Sequence, residues 1–423
     1  MKTSSRRSFL KTAGAGTLSS LAIIRTSHAA PSDTIRHAVI GLGGQGRTHA
    51  RTLSSLDGCE IVAVCDLDPE RLQKHTAQLP NRERIRQEKD FRKILDDKSI
   101  DTVSIATPDH WHAPVALAAI QAGKHVYVEK PCSHNIREAV LLKQAAEDSG
   151  LCVQQGTQAR SCPSIHEAVA FMRDGGLGKI RMAKAINHQL RKPIGRAPET
   201  DPPPGVDYDM WLGPAPIVPF TRNRWHYNWH WFWDYGCGDM GNDGIHQVDQ
   251  ARWGLGVGIP NAVTASGGQL FYEDDHETPD TQIVTFEYDD CYLLYEMRLW
   301  TDYKLEGHDN GVVFYGDDGK LEIGRNGCDI TFIDGKTRHI GPYADIKDHF
   351  RNFLDCAKAG TPDKLHAPMK EAMPSTALCH LGNIATRLGR KITLDPQKLT
   401  CTGDPEAEKM FAREYRKGYE LPI

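Results

Sequence analysis

His37-Ala38-Val39-Ile40-Gly41-Leu42-Gly43-Gly44-Gln45-Gly46 decides how this chain is read. A short apolar run closes on a glycine, and a G-x-G-x-x-G spacing opens the next segment. With 38 glycines in 423 residues the spacing alone is weak. Its context is specific, because it sits between a strand pattern and a helix pattern. Gly41 would allow the tight turn. Gly43 and Gly44 would let a phosphate approach the backbone, and Gly46 would let the helix pack on the strand. Gln45 lies in the same loop, and the helix N-terminus favours negative charge. Twenty residues past Gly46, Asp66 ends the next strand pattern, Glu60 to Cys65. A carboxylate there accepts ribose hydroxyls and repels a 2′-phosphate, so the loop and Asp66 together point to NAD in preference to NADP.

Outward from the loop, strands and helices alternate. Asp101 to Ala106, His125 to Val128 and Leu151 to Val153 read as further strands. Arg71 to Ala77, Phe91 to Leu95, Pro114 to Ala122 and Ile136 to Asp148 read as helices. Short apolar strands alternating with helices imply a parallel sheet covered on both faces. Residues 193–219 are rich in proline and glycine and read as an irregular loop. From Thr264 the runs alternate as half-buried antiparallel strands do: Gln282 to Tyr288, Tyr292 to Leu299 and Gly311 to Tyr315, with turn pairs at Asp289-Asp290, Asp318-Gly319 and Asp334-Gly335. The expected fold is α/β: an N-terminal dinucleotide-binding (Rossmann) parallel sheet over residues 33–155, an α+β domain with a mostly antiparallel sheet over 156–395, and a C-terminal tail over 396–423.

The first 29 residues read differently. Ser5-Arg6-Arg7-Ser8-Phe9-Leu10-Lys11 is a twin-arginine pattern, followed by a mildly apolar stretch to Ile24 and by Ser27-His28-Ala29, small-residue spacing suited to cleavage. The expectation is a signal peptide for twin-arginine export to the periplasm or beyond. These residues carry Lys2, Arg6, Arg7, Lys11 and Arg25 and no acid, so their removal takes the net charge from −4 to about −9. Neither nucleic acid nor an anionic membrane is an expected partner, and no apolar run is long enough to span a bilayer after processing. The 11 cysteines show no CxxC. Several sit in apolar runs, so buried free thiols are expected.

The chain resembles the Gfo/Idh/MocA oxidoreductases, which include glucose–fructose oxidoreductase and inositol dehydrogenase. The residues that carry the resemblance are the Gly41 to Gly46 loop, Ala106-Thr107-Pro108 with His112, Ala122-Gly123-Lys124-His125-Val126-Tyr127-Val128-Glu129-Lys130-Pro131, and Gly244-Ile245-His246-Gln247-Val248-Asp249. It spans about residues 35–390. It implies that Lys130 sits beside the nicotinamide and the reacting hydroxyl, that His246 is the acid/base, and that Thr107, Pro108, His112 and Glu129 line the cofactor groove. The chemistry suits those residue types. Imidazole can take the hydroxyl proton near neutral pH, and an ammonium can stabilise alkoxide character. Many members carry Asp four residues before the histidine, where this chain has Asn242. Asp243 is its neighbour, but one α-helical step of about 100° keeps it from simply substituting. Either His246 works without a charged partner, or Asp239 or Asp249 serves, or the chemistry departs from simple dehydrogenation. Asn242 is read as an amide that orients substrate, with Asp243 beside it.

Trp225, Trp229, Trp231 and Trp233, half of the 8 tryptophans, lie within nine residues. Aromatic faces stack on the C–H faces of sugar rings, and Trp231 is assigned to the substrate, as is His188. His226 and His230 are spaced i, i+4, but no metal is expected. The leading expectation is an NAD-dependent oxidoreductase, working as a homo-oligomer, that moves a hydride between tightly bound NAD and a sugar or polyol hydroxyl. The alternative is an NAD-dependent glycosidase, such as an α-N-acetylgalactosaminidase, which oxidises, eliminates, hydrates and reduces. A non-catalytic NAD-binding sugar sensor is a third class.

Overall fold

The computed structural model describes residues 34–343 and 346–422. The twin-arginine segment lies outside the described residues. The first sheet has six strands: β1 (Ile35–Ile40), β2 (Cys59–Cys65), β3 (Arg86–Glu88), β4 (Thr102–Ile105), β5 (His125–Val128) and β6 (Val153–Gln155). All pairs are parallel, and the order is β3-β2-β1-β4-β5-β6. The chain reverses direction of travel between β1 and β4, which is where such sheets bind ligands. Alternate residues of β1 feed different cores: Ala38 and Ile40 one face, Ile35 and Val39 the other. That explains why the strand reads as an unbroken apolar run. The three-residue β3 carries Arg-Gln-Glu at the sheet edge and has no apolar signal to read.

The helices around this sheet are α1 (Gly44–Leu53), α2 (Pro69–Thr76), α3 (Phe91–Leu95), α4 (His112–Gln121) and α5 (Ile136–Ser149). Their ends follow local chemistry. Asp68 caps α2 by accepting from the backbone N–H groups of Glu70 and Arg71, with Pro69 in the first turn. Asn135 caps α5 by accepting from Glu138 N, and Gly150 ends it at φ 65°.

The second sheet has ten strands: β7 (Ile180–His188), β8 (Ala262–Gly268), β9 (Thr281–Glu287), β10 (Tyr292–Arg298), β11 (Asn310–Gly316), β12 (Gly319–Gly324), β13 (Gly327–Phe332), β14 (Thr337–Ile340), β15 (Ile392–Asp395) and β16 (Thr400–Cys401). Its order is β14-β13-β12-β11-β7-β10-β9-β8-β15-β16. Only β7–β10 is parallel, so the sheet is mostly antiparallel as expected. The three turn pairs fall between β9 and β10, β11 and β12, and β13 and β14. Packed on this sheet are α6 (Pro163–Arg173) and two further helices, Ile245–Leu255 and Met369–Leu388.

The last segment docks rather than trails. Tyr415 donates to Glu138 of α5 at 2.8 Å, Arg416 to Gly213 O at 2.8 Å, and Gln121 of α4 to Pro422 O at 2.7 Å. No disulfide joins the described residues, and ten of the 11 cysteines are buried.

Candidate active site

The glycine loop is shaped by two close approaches. Gly41 has φ +87°, and a Cβ on it would lie 2.6 Å from Ala106 O at the end of β4. A Cβ on Gly46 would lie 1.7 Å from Gly41 O, so only glycine lets α1 start against the strand. Gly43 and Gly44 serve the opposite purpose. A Cβ on Gly44 would meet nothing, and one on Gly43 would meet only the Arg71 guanidinium at 3.4 Å. They leave a bare cradle at the N-terminus of α1, which has no side-chain cap. At the end of β2, Asp66 accepts from Leu42 N at 2.7 Å and from Asp68 N at 2.8 Å. Burial pushes its carboxyl upward against those two bonds.

This cradle floors a cleft of about 420 Å³. Gly41, Gly43, Gly44, Gln45 and Asp66 line one end, and Thr107, Pro108, His112, Glu129 and Lys130 the other. The bare glycines, the open helix end and the unpartnered, buried Thr107 hydroxyl suit a dinucleotide. Gly46 works behind the loop, in packing. At the far end Glu129 accepts from His49 at 2.9 Å and from Gln45 at 3.1 Å. Burial alone would raise that carboxyl, but the His49 bond and the Lys130 ammonium hold it at about 2. His112 lies between Pro131 O and Thr107 O, at 2.7 and 2.8 Å, and burial pushes its ring down to about 4. Asp109, between Pro108 and His112, is a cleft residue that the sequence reading misses. Its Oδ2 is buried and unpartnered, and burial pushes it up to about 7 against the pull of Lys130. The signal that could find it is an acid inside an otherwise buried motif.

Met240–Gly244 is a π-helix that runs into Ile245–Leu255. Adjacent residues of this turn serve two cavities, in keeping with the angular offset between neighbours on a helix. Asn242 lines the cofactor cleft: its carbonyl accepts from Lys130 Nζ at 2.7 Å and its amide donates to Asp239 at 2.8 Å. Asp243 lines a second cavity of about 390 Å³ together with His246. The other walls include Gln158, Gln189, Gln247, Gln250 and Asn310. Asp243 accepts from the Gln189 amide and from Asn310 at 2.6 Å. Asp239 and Asp249 are committed elsewhere. Asp239 is bound by Arg191 and Asn187, and Asp249 by Arg160 and Ser375. Asp243 is therefore the acid that shares a cavity with His246. Burial, then the Lys130 ammonium, lower the His246 pKa, and Asp243 opposes them. A neutral imidazole is a competent proton acceptor.

Two substrate assignments are corrected. His188 has a fully buried side chain, bonded to Tyr303 O at 3.0 Å and to Arg298 at 2.9 Å, and lines neither cavity. Trp231 is 1% exposed in the core of the second domain. A 3-10 turn over Asn228–Trp231 carries it inward and leaves Trp225, Tyr227, Trp229 and His230 lining the cofactor cleft. His226 also lines the cleft at φ 62°, ahead of that turn, so the i, i+4 helical pairing with His230 does not form.

Residues 35–157 match the NAD-binding Rossmann-fold domain of an oxidoreductase family, and residues 194–421 match that family's C-terminal α/β domain. The chain belongs to the Gfo/Idh/MocA oxidoreductase family. Among Gfo/Idh/MocA relatives, a glycosyl hydrolase family 109 protein of Shewanella pealeana is 35% identical over 167 residues, 34% of this chain and 37% of that protein. A levoglucosan dehydrogenase of Pseudarthrobacter phenanthrenivorans is 36% identical over 91 residues, 22% of this chain and 23% of that one. The chain thus spans little more than a third of the length of the curated relatives it matches. A levoglucosan dehydrogenase solved with NADH superposes with a TM-score of 0.66 at 17% identity, covering 85% of this chain and 99% of that one. The WlbA dehydrogenase of Bordetella pertussis, solved with NADH and UDP-GlcNAcA, gives 0.65 at 20% identity, covering 86% and 99%. At these identities the superpositions establish the shared fold.

Proposed function

We propose that the chain is an NAD-dependent oxidoreductase acting on a hydroxyl of a sugar or polyol. The observation that carries this is the placement of Lys130 and His246 on either side of the π-turn. One lines the dinucleotide cleft and the other an amide-rich cavity, and Lys130 Nζ donates to Asn242 O of the turn that separates them, at 2.7 Å. Thr107, Pro108, Glu129 and Lys130 line the part of the cleft beyond the glycine loop, and NAD held there would supply the hydride acceptor. A secondary alcohol that gives up a hydride must also give up a proton. Lys130 Nζ would polarise the alcohol oxygen, and His246, with Asp243 in its cavity, would take the proton when the alcohol sits where the cleft and the cavity meet. Five side-chain amides in the His246 cavity donate and accept, which suits a ligand dense in hydroxyls.

Residues 1–29 complete the proposal as a twin-arginine signal. Outside the cytoplasm free NAD is scarce, so the enzyme keeps its cofactor and restores it by reducing a second substrate. Copies of the chain associate, using the open face of the second sheet, where Ile283 and Tyr292 are about half exposed.

A second reading, a glycosidase, is favoured by Asp243 beside His246 and by the family 109 relatives. Oxidation, elimination, hydration and reduction on one NAD would cleave a glycoside with no net redox change, outside the two-carboxylate scheme. The test is incubation of the purified protein with free sugars and with glycosides in deuterated water. Bound NADH and a ketosugar support the oxidoreductase. Aglycone release with ring deuterium supports the glycosidase. Neither outcome with any sugar or glycoside sinks both.

A further inference from the structure

Asn187, Gln189 and Arg191 are every second residue of one stretch, the end of β7 and the segment beyond it. Alternation in an extended chain puts such residues on one face. All three donate to acids at the π-turn: Asn187 to Asp239 at 3.0 Å, Gln189 to Asp243, and Arg191 to Asp239 at 3.0 Å. A Cβ on Gly244 would lie 2.3 Å from the Tyr295 hydroxyl of β10, so the turn is pressed onto the sheet that bears these donors. Asp239, immediately ahead of the turn, is 1% exposed and lines neither cavity. Burial pushes its carboxyl up, while the Arg191 guanidinium and the Asn242 and Asn187 bonds pull it back. Asn242 therefore faces two charges. Its side-chain amide donates to Asp239 at 2.8 Å, and its main-chain carbonyl accepts from Lys130 Nζ at 2.7 Å.

We propose that Asp239 is a positioning residue: through the Asn242 amide it holds the carbonyl that fixes the Lys130 ammonium. A carboxylate acceptor makes a shorter and stronger bond than a neutral one, so it fixes the amide firmly. Position 242 itself carries no charge, and the carboxylate stands three residues earlier, outside the cleft. An ammonium has three donors, and the Asn242 carbonyl takes one, which leaves two for an alcohol oxygen. The function of this hold rests on the reading of Lys130 as the group that meets the alcohol. One of the two measurements below does not depend on that reading.

The first measurement is the acetylation rate of Lys130 by N-hydroxysuccinimidyl acetate in the full, cofactor-bound chain without sugar. It is read by mass spectrometry against the exposed Lys398. The second is reduction of bound NAD by a panel of free aldoses and polyols. Asn242→Ala keeps the Asp239–Arg191 pair and should melt near the wild-type temperature. Its Lys130 acetylation should rise about three- to tenfold, as for one lost hydrogen bond. Its kcat should fall about ten- to a hundredfold, with KM within about threefold. Asp239→Asn should do the same at a lower melting temperature, because Arg191 loses its counter-ion. Combining Asp239→Asn with Asn242→Asp returns a carboxylate to the pair and should restore most of the protection of Lys130. Unchanged acetylation of Lys130 in either single variant would overturn the proposal. A double variant as reactive as Asp239→Asn would also overturn it and leave Asp239 a counter-ion of Arg191. Faster acetylation with unchanged turnover would uphold the hold on Lys130 and sink its role toward the alcohol.

Discussion

The cofactor cleft is floored by backbone, whereas the neighbouring cavity around His246 is walled by side-chain amides. In the cleft, recognition comes from what is missing: two absent Cβ atoms at Gly43 and Gly44 and an uncapped helix end. In the cavity it comes from what is present: Gln158, Gln189, Gln247, Gln250 and Asn310 around Asp243 and His246. Backbone recognition is rigid and suits one fixed ligand. Amide walls are adjustable by single substitutions and suit a site whose ligand differs between relatives. Damage should therefore be abrupt on the cofactor side and graded on the other.

The most abrupt break is expected from Gly46→Ala. Its Cβ would sit inside bonding range of Gly41 O, so α1 cannot start against β1. The variant should retain no dinucleotide and should lose its cooperative melting transition. Gly44→Ala, which meets nothing, should fold normally.

Acid comes next. Burial pushes the rings of His37, His110 and His230 down to about 3. His37 is in β1, His110 follows β4, and His230 lines the cofactor cleft. Their unfolded pKa is about 6.5, so below it the unfolded chain binds more protons than the folded one. Their stabilising contribution is complete above pH 6.5 and is lost as pH falls toward 3. Three such rings imply a loss of about 4 kcal/mol per pH unit in that window. Urea unfolding at about pH 7 and about pH 5.5 measures it. A transition midpoint that does not move between the two would refute the assignment.

Lys130→Ala tests the junction between the two regions. Turnover should drop about a hundred- to a thousandfold, as for loss of a charge-stabilising donor. NADH affinity should stay within about threefold, because the glycine loop is untouched. The smallest effect is expected from Gln247→Leu. Gln247 Oε1 is buried without a partner, although its Nε2 bonds Asn310. Loss of that acceptor should raise KM about tenfold and leave kcat and NADH binding in place.

The same contrast explains what the sequence reveals. The cofactor side is local: Gly41 to Gly46, Asp66, Thr107 and Lys130 each follow a strand whose apolar run is plain, and the parallel sheet comes with them. The amide cavity draws Gln158, Gln189, Asn310 and the 243–250 segment from across the second domain. No spacing announces such a set, and of its walls only Asp243 and His246 stand out in the sequence. Trp231 reads as a ligand contact in the sequence and is core in the fold, because tryptophan count says nothing about which way a 3-10 turn rotates each ring. His188 sits at the end of β7, where one residue of register decides between cavity and core. The π-turn is invisible because the α-helical period is assumed wherever a helix is expected.

That π-turn has an evolutionary consequence. Codons 242 and 243 are adjacent in the gene, yet the residues they encode line different cavities, the cofactor cleft and the amide cavity. A library randomised at both would sample dinucleotide handling and substrate choice separately, from one short stretch of DNA. A lineage carrying this turn can change what it acts on while keeping the cofactor that acts.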